Sequence, residues 1–256
     1  MLFRSAWPAA AVARVGGWAV ARSGGGTRRA NSVSALRPGA TLDVGTVAVI
    51  DALYAEAGLP TIVRVTTLTP GADAMLDAAG FAPAEGATRT LARLFPREGR
   101  GPDGKAGVTE RDADRDRPPT SPANGELALS GAPDAAWIGV RRRLSLAEGR
   151  GADDQVAPAL RLAVPAVFAR IGDEAVAYAA IADRIAVVEA VAVDPAARRR
   201  GLARTMLAAL LARARETGAT LAALQVMADN APAIALYRAL GFGHDLHDYH
   251  YRRRGR

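Results

Sequence analysis

Residues 191–203 carry the most informative pattern of the chain, Val191-Ala192-Val193-Asp194-Pro195-Ala196-Ala197-Arg198-Arg199-Arg200-Gly201-Leu202-Ala203. The preceding apolar run predicts a strand that ends at Val193, and the leucine periodicity after it predicts a helix from Gly201 to Thr217. The first backbone N–H groups of a helix have no partner inside the helix, and the helix dipole favours negative charge there. Small residues let an anion approach this backbone. An ordinary turn with solvated arginines is the alternative interpretation.

A second pattern follows about 30 residues later, Asn230-x-x-Ala233-x-x-Leu236-Tyr237-x-x-x-Gly241-Phe242. The first pattern resembles motif A of the GNAT (GCN5-related N-acetyltransferase) superfamily, with Ala203 where glycine is commoner. The second pattern resembles motif B of the same superfamily. Two motifs in this order and at this spacing are more specific than either alone. The resemblance covers about residues 125–256.

The resemblance implies an α+β fold (α/β mixed), with a GNAT-like twisted mixed sheet flanked by helices. It implies that an amine attacks the thioester of the cosubstrate acetyl-CoA directly, in a ternary complex. The strand ending at Val193 is expected to offer backbone hydrogen bonds to the pantetheine arm, and the following turn to hold the pyrophosphate. The residues expected to bind acetyl-CoA are Val191, Val193, Arg198, Arg199, Arg200, Gly201, Leu202, Ala203, Arg204 and Asn230.

Tyr237 is the candidate general acid. In many GNAT proteins the tyrosine at this place of motif B protonates the departing CoA thiolate. Tyr237 lies seven residues after Asn230, about two helical turns, so both residues share one helix face. A phenol is a plausible acid for a thiolate of comparable pKa. The alternative is a tyrosine that only fills the core.

Glu189 is the candidate general base. It is the only ionisable residue in the apolar run 185–193, and strand alternation predicts that it shares a face with Val191 and Val193. A carboxylate there can accept a proton from the incoming ammonium, through water. A charge on a solvent-facing stretch of strand is an equally good interpretation. GNAT proteins differ in where the base lies, so the resemblance leaves this question open.

A disordered linker is predicted at residues 96–124, which are rich in Gly, Pro, Asp and Arg. Six basic and six acidic side chains balance in this segment, and its few apolar residues cannot offset the entropy of ordering it. We therefore expect a first part at residues 1–95 and a catalytic acetyltransferase domain at residues 125–256.

Secondary structure is predicted on both sides of the linker. The first part contains two strands within 17–33 around a turn at 23–26, a helix at 43–57, a strand near 61–67, a short helix ending at Gly80 and a strand near 88–95. The second part contains helices at 135–146, 201–217 and 230–240, and strands at 163–170, 174–182, 184–193, 221–227 and 245–253. Parallel crossovers are expected within its mixed sheet.

The first part is similar to the N-terminal half of a group of bacterial two-part GNAT proteins, on the stretch Gly17-Trp18…Arg29-Ala30-Asn31-Ser32-Val33 with Tyr54 and Gly58-Leu59-Pro60. No Arg-x-x-Gly-x-Gly/Ala pattern enters a helix here. Aligning Gly80 with Gly241 places Leu76 at the position of Tyr237. We therefore expect a degenerate, non-catalytic half that shapes the acceptor site; a coincidental α+β similarity is the alternative.

Composition narrows the chemistry. The chain has no cysteine, which excludes disulfides, zinc thiolate sites and a cysteine nucleophile. The net charge of +7 comes without a nucleic-acid-binding signature, so we expect a basic surface and no nucleic-acid partner. Successive spacings of three place His244, His247 and His250 alternately on opposite strand faces, so no metal is expected. No run of about 20 apolar residues is present, so we expect a cytoplasmic protein without a membrane partner.

Two rival functions remain open beside the acetyltransferase. One is a catalytically silent CoA-binding regulator, and the other is a basic nucleic-acid-binding protein. The sequence leaves the acceptor open among a lysine side chain, a protein N-terminus, an aminosugar, a polyamine and an amine antibiotic. It also leaves the oligomeric state open.

Overall fold

The computed structural model describes residues 2–24, 26–96 and 125–255. Its helices are α1 (Leu2–Ala6), α2 (Val44–Glu56), α3 (Ala72–Ala78), α4 (Ala135–Ala147), α5 (Ala152–Leu160), α6 (Leu202–Glu216) and α7 (Ala231–Ala239). Its strands are β1 (Ala11–Val15), β2 (Trp18–Arg22), β3 (Val33–Ala35), β4 (Thr61–Thr66), β5 (Glu85–Leu94), β6 (Leu127–Ser130), β7 (Ala166–Ile171), β8 (Ala175–Ala182), β9 (Ile185–Val193), β10 (Leu221–Met227) and β11 (His244–Arg254). The predicted α+β class, a mixed sheet flanked by helices, is confirmed.

Most of the predicted elements are present, and the structure adds α1, β1, β6 and α5. Pro158 lies inside α5, and proline weakens the helical pattern that sequence reasoning depends on. The turn predicted at 23–26 lies between the antiparallel strands β2 and β3, but a 3-10 helix, Arg28–Ala30, follows before β3 begins. The linker predicted at 96–124 lies, apart from Pro96, outside the described residues.

Strands of both predicted parts lie in one sheet, in the order β1-β2-β3-β4-β11-β5-β10-β9-β8-β7-β6. The two parts alternate only at its centre, from β4 to β10. β5, from the first part, pairs antiparallel with β10 along the whole of β10 and also pairs antiparallel with β11. β11 in turn pairs antiparallel with β4. The expected parallel crossovers are present: α6 connects the parallel neighbours β9 and β10, and α7 leads from β10 to β11. The division of the chain into parts at residues 1–95 and 125–256 stays a prediction.

Helices cover both faces of the sheet. On one face, α6 buries the predicted stripe of Leu202, Met206, Leu207, Leu210, Leu211 and Ala214 against β7 to β10. On the other face, α1 and α4 enclose an aromatic cluster in which the Trp137 ring lies 5.1 Å from Phe168 and 6.1 Å from Tyr178. α2 and α3 cover the strands of the first part, where Asp43 caps α2 and Gly58, at φ +70°, follows its end. None of the helices in the described part of the chain is both long and apolar enough to span a bilayer.

The last strand is held to the first part by side chains as well as by its backbone. The Arg252 side chain is 5% exposed, and its guanidinium lies 2.8 Å from Asp73 and contacts Asp77. Its Nε donates a 2.7 Å hydrogen bond to the Ala82 carbonyl. His250 lies 2.9 Å from the same Asp73 carboxylate. These contacts anchor β11 on α3 and on the loop that follows it.

We predict that Arg252→Met lowers the free energy of unfolding by about 2 kcal/mol, because charge-assisted hydrogen bonds with half-exposed partners are lost. The neighbouring Arg253 is exposed, so Arg253→Met is the matched control and should change stability by less than about 0.5 kcal/mol. Denaturant unfolding of both variants measures the effect. Equal stability of the two variants would contradict the anchoring role.

Candidate active site

The parallel strands β9 and β10 separate part-way along their length. They pair over Ile185–Val188 and Leu221–Leu224, whereas β9 continues to Val193 and β10 to Met227. Beyond the last pair, β10 stays hydrogen-bonded to β5 as far as Met227. The backbone edge of β9 after Val188 is therefore left without a strand partner on its β10 side, within the described sheet. A cleft opens between the two strands at this point.

A β-bulge in β9 lies at the same level. Tyr178 pairs with Glu189 and Val176 with Ala192, so β9 carries one extra residue here, and Ala190 adopts φ +56°. The bulge reverses the alternation of side chains. As a result Val191 and Val193 pack towards α6, whereas Glu189 lies with its register partner Tyr178 on the α4 face. The prediction that Glu189 shares a face with Val191 and Val193 is therefore wrong.

A cavity of about 640 Å³ occupies the cleft. It is lined by four of the predicted site residues, Glu189, Val191, Asn230 and Tyr237. Both predicted parts of the chain contribute to the wall, the first through Trp7, residues 26–29 and Thr88. The α4–α5 loop and two tyrosines of β11, Tyr249 and Tyr251, complete it. No sequence pattern links these segments, because the pairing of distant strands brings them together.

Tyr237 lies on α7 with its ring packed edge-on against Phe242, at 6.0 Å between centroids. Its side chain is buried, and burial, with the charge of Glu189 adding to it, raises the pKa of Tyr237 to about 12. The phenol therefore carries its proton at every physiological pH. Asn230 caps the same helix, since its side-chain oxygen accepts a 3.2 Å hydrogen bond from the Ala233 N–H.

Glu189 is 5% exposed and forms an ion pair with Arg29, in which Arg29 Nη1 donates to Glu189 Oε2. The Arg29 guanidinium in turn lies over the Trp7 ring, 5.2 Å from its centroid. Glu189 Oε1 has no hydrogen-bond partner among the described residues. Burial raises the pKa of Glu189 despite the opposing charge of Arg29. Sequence reasoning missed Arg29, whose separation of 160 residues left no local signal.

The turn after β9 has the predicted open backbone. Gly201 precedes α6 with φ +80°, and a Cβ placed on it would meet no atom within 4 Å. The first hydrogen bond inside α6 runs from the Thr205 N–H to the Gly201 carbonyl, so the N–H groups of residues 202–204 point out of the helix start. Leu202 is buried, which leaves only its backbone for a ligand.

The arginines of the turn lie at its rim. Arg198, Arg199, Arg200 and Arg204 are all exposed. Arg198 Nη2 lies 4.0 Å from Glu148 and Arg200 Nη1 lies 2.6 Å from Glu174. Ala203 is half-buried beside them. These residues do not line the cavity, which contacts β9 at residues 188–191. Strand residues 189–193 connect the two regions.

Comparison with a family model then identifies the chain. The model described as "Probable histone acetyltransferase Rv0428c C-terminal" matches residues 4–253. The chain belongs to this family, and it is a GNAT superfamily protein. The match extends over both predicted parts, so the family includes the strands that form the sheet on either side of β5. Comparison with curated proteins found no match.

Solved structures show the same fold. A GCN5-related N-acetyltransferase from Kribbella flavida has 20% sequence identity and a TM-score of 0.68, covering 99% of this GNAT protein and 93% of that chain. A functionally unknown conserved protein from Staphylococcus epidermidis has 8% identity and a TM-score of 0.65, with 97% and 94% covered. A tandem GNAT protein from the clavulanic acid biosynthesis pathway has 16% identity and a TM-score of 0.59, with 82% and 68% covered.

Two of the three histidines of β11 contact other side chains. His250 contacts Asp73, and His247 Nε2 lies 3.4 Å from the Thr90 hydroxyl. Among the residues that the structure describes, no three His, Asp or Glu side chains are grouped in a way that suits a metal ion.

We predict that Gly201→Glu abolishes acetyl-CoA binding, because a carboxylate would fill the open space before α6 and repel the pyrophosphate. Gly201→Ala is the matched control, since both variants strain the backbone at φ +80° by about 1–2 kcal/mol but alanine adds only a methyl group. Calorimetry should find binding in the alanine variant and none in the glutamate variant. Wild-type affinity in Gly201→Glu would remove the site assignment.

Proposed function

We propose that this GNAT protein transfers the acetyl group of acetyl-CoA directly to a primary amine of a protein or small molecule, in a ternary complex. The observation that carries the proposal is the separation of β9 and β10, which leaves an open strand edge between a cavity and an anion-compatible turn. The absence of cysteine from the sequence supports direct transfer, since no thiol is present to form an acyl-enzyme.

The proposed cosubstrate site runs from the turn to the cavity. The backbone at residues 201–204 and the arginines at 198, 199, 200 and 204 would hold the pyrophosphate, and the unpaired edge at Val191 and Val193 would hold the pantetheine arm. The fit rests on the open space around Gly201 and on the absence of a strand partner for this edge in the described sheet. Asn230, at the start of α7, lies at the cavity wall and would contact the thioester end.

Tyr237 is the proposed general acid. Its hydroxyl makes no hydrogen bond within the described structure, and the residue lines the cavity with Val191. Since the raised pKa keeps the phenol protonated, a proton is always present to neutralise the thiolate that leaves when the C–S bond breaks. The amine nitrogen forms the new bond to the acetyl carbon and must lose a proton as it does so.

Glu189 is the proposed general base for that proton, directly or through water. Its Oε1 lacks a partner among the described side chains and backbone groups, and the residue lines the cavity opposite α7. Arg29 holds the other oxygen and keeps the carboxylate in place. The raised pKa makes Glu189 a stronger base than an exposed carboxylate. The first part of the chain, in this proposal, is a non-catalytic half that shapes the acceptor cavity.

We predict that Tyr237→Phe lowers kcat by about 10²–10⁴-fold while acetyl-CoA affinity stays nearly unchanged, because only the proton donor is lost. Tyr251→Phe, which removes a hydroxyl from the same cavity, is the control and should stay within a few-fold of wild type. Free thiol release across a panel of amines measures turnover. Full turnover in Tyr237→Phe would leave Tyr237 as a core residue only, and acetyl-CoA binding without turnover by the wild type would favour the silent regulator.

We predict that Glu189→Gln lowers turnover most at the low end of the pH range in which Glu189 is ionised. The defect should shrink as the pH rises. The base matters most where little free amine exists, and less where the amine is already deprotonated. Because Glu189→Gln leaves Arg29 buried without its carboxylate, the double variant Arg29→Gln/Glu189→Gln is the control for folding. The same pH-dependent defect in both variants supports the base. Recovery of activity in the double variant, or a defect independent of pH, would remove it.

A further inference from the structure

The acceptor cavity has more cations than carboxylates on its wall. Its charged lining residues are Arg28, Arg29, Arg141, Arg150, Asp154 and Glu189. Three of the four arginines form ion pairs: Arg28 with Glu85 at 3.0 Å, Arg29 with Glu189, and Arg150 with Glu148 at 3.3 Å. Asp154 accepts a 2.5 Å hydrogen bond from the Gly26 N–H. Arg141 is the exception among the described lining residues.

Arg141 lies on α4 and is 2% exposed. Its Nη2 donates a 2.8 Å hydrogen bond to the neutral side chain of Gln155 on α5. Its Nε is buried and has no hydrogen-bond partner among the described residues. Burial lowers the pKa of Arg141 to about 10, so the guanidinium remains charged at neutral pH. A buried cation without a bonded carboxylate is unfavourable and requires an explanation.

Two carboxylates act on the charge of Arg141, Glu148 first and Glu189 after it, and both are engaged elsewhere. Glu148 lies 3.3 Å from Arg150 Nη1 and 4.0 Å from Arg198 Nη2. Glu189 is bonded through its Oε2 to Arg29. Its Oε1 is also buried and has no hydrogen-bond partner in the described structure. One cavity therefore presents an unsatisfied cationic group and an unsatisfied anionic oxygen. An ammonium group fits the second, and an anionic group fits the first.

We propose that the acceptor is an amine that also carries an anionic group, a carboxylate or a phosphate, and that Arg141 binds this group. The inference rests on the proposed acetyltransferase function and names its substrate class. A polyamine or a lysine-rich segment brings no anion to Arg141, the one arginine of the described lining without a bonded carboxylate. The phosphates of CoA do not account for Arg141, because none of the residues 198–203 lines this cavity.

The orientation follows from the two unsatisfied groups. The amine would lie at Glu189, within reach of the thioester, and the anionic group would point towards α4 and α5. Arginine suits this role because its planar guanidinium can bind a carboxylate or a phosphate with two parallel hydrogen bonds. Arg141 is in this proposal a binding residue, and the proton transfers remain with Tyr237 and Glu189.

The test uses the full chain and pairs of amines that differ only in the anionic group: β-alanine with its amide, and phosphoethanolamine with ethanolamine. Thiol release gives kcat/KM, and thermal unfolding in the presence of CoA gives binding without turnover. We expect the anionic member of at least one pair to be preferred about 10-fold or more, and the preferred pair distinguishes carboxylate from phosphate. Arg141→Gln should lower kcat/KM for that member about 10–100-fold and leave its neutral partner within about 3-fold.

Three further measurements keep the result unambiguous. Arg142→Gln, which changes the adjacent exposed arginine, should behave as wild type. Arg141→Lys keeps the charge if Arg141→Gln does not fold, and should lower kcat/KM for the anionic member alone by a smaller factor. Calorimetry of Arg141→Gln should give wild-type affinity for acetyl-CoA.

Equal use or equal binding of charged and neutral partners by the wild type would overturn the inference. It would also be overturned if Arg141→Gln weakens acetyl-CoA binding, since the anion would then belong to CoA. If the wild type releases no thiol with any of the amines, the proposed activity fails. The thermal shifts with CoA present would in that case still decide whether Arg141 binds the anionic partner.

Discussion

The arrangement of the site depends on the different demands that two pairings place on β9 and β10. β10 follows β5 over its whole length, whereas β9 follows β8 through a bulge at Ala190. A bulge bends its strand and disrupts the neighbouring ladder, and the pairing of β9 with β10 ends just before the bulge, at Val188 and Leu224. The open strand edge and the cavity result from this separation, and the bulge itself places Glu189 on the opposite face from Val191 and Val193. The same edge connects the turn before α6 with the cavity, so that one extended ligand can contact both.

The second consequence concerns the role of the first part of the chain. β5 lies between β10 and β11, so one of the two strand partners of β10 comes from outside the motif-bearing segment. The same part supplies Arg29 and Trp7, which orient the Glu189 carboxylate. The first part of the chain thus contributes both wall residues and charge to the cavity. The family model, which spans residues 4–253, treats the two parts as one unit.

The charge of the cavity bears on the chemistry of the acceptor. The matching family is described as a probable histone acetyltransferase, and that description concerns the family rather than this chain. The buried Arg141, which has no bonded carboxylate among the described residues, suits an acceptor that carries its own negative charge, as proposed above. Proteins of one fold can differ in this way, because a fold does not fix the residues of its binding sites.

What the sequence by itself determined is local in origin. The turn at 198–203, the stripe of α6 and the position of Tyr237 on α7 depend on residues within a few turns of one another, so periodicity and spacing predict them. Only the tertiary structure decided the face of Glu189, its pairing with Arg29 and the isolation of Arg141. A single extra residue in β9 reverses the strand alternation, and contacts between residues more than 100 positions apart leave no periodic signal. Those features arise from how the strands of the two parts pair, which no local pattern encodes.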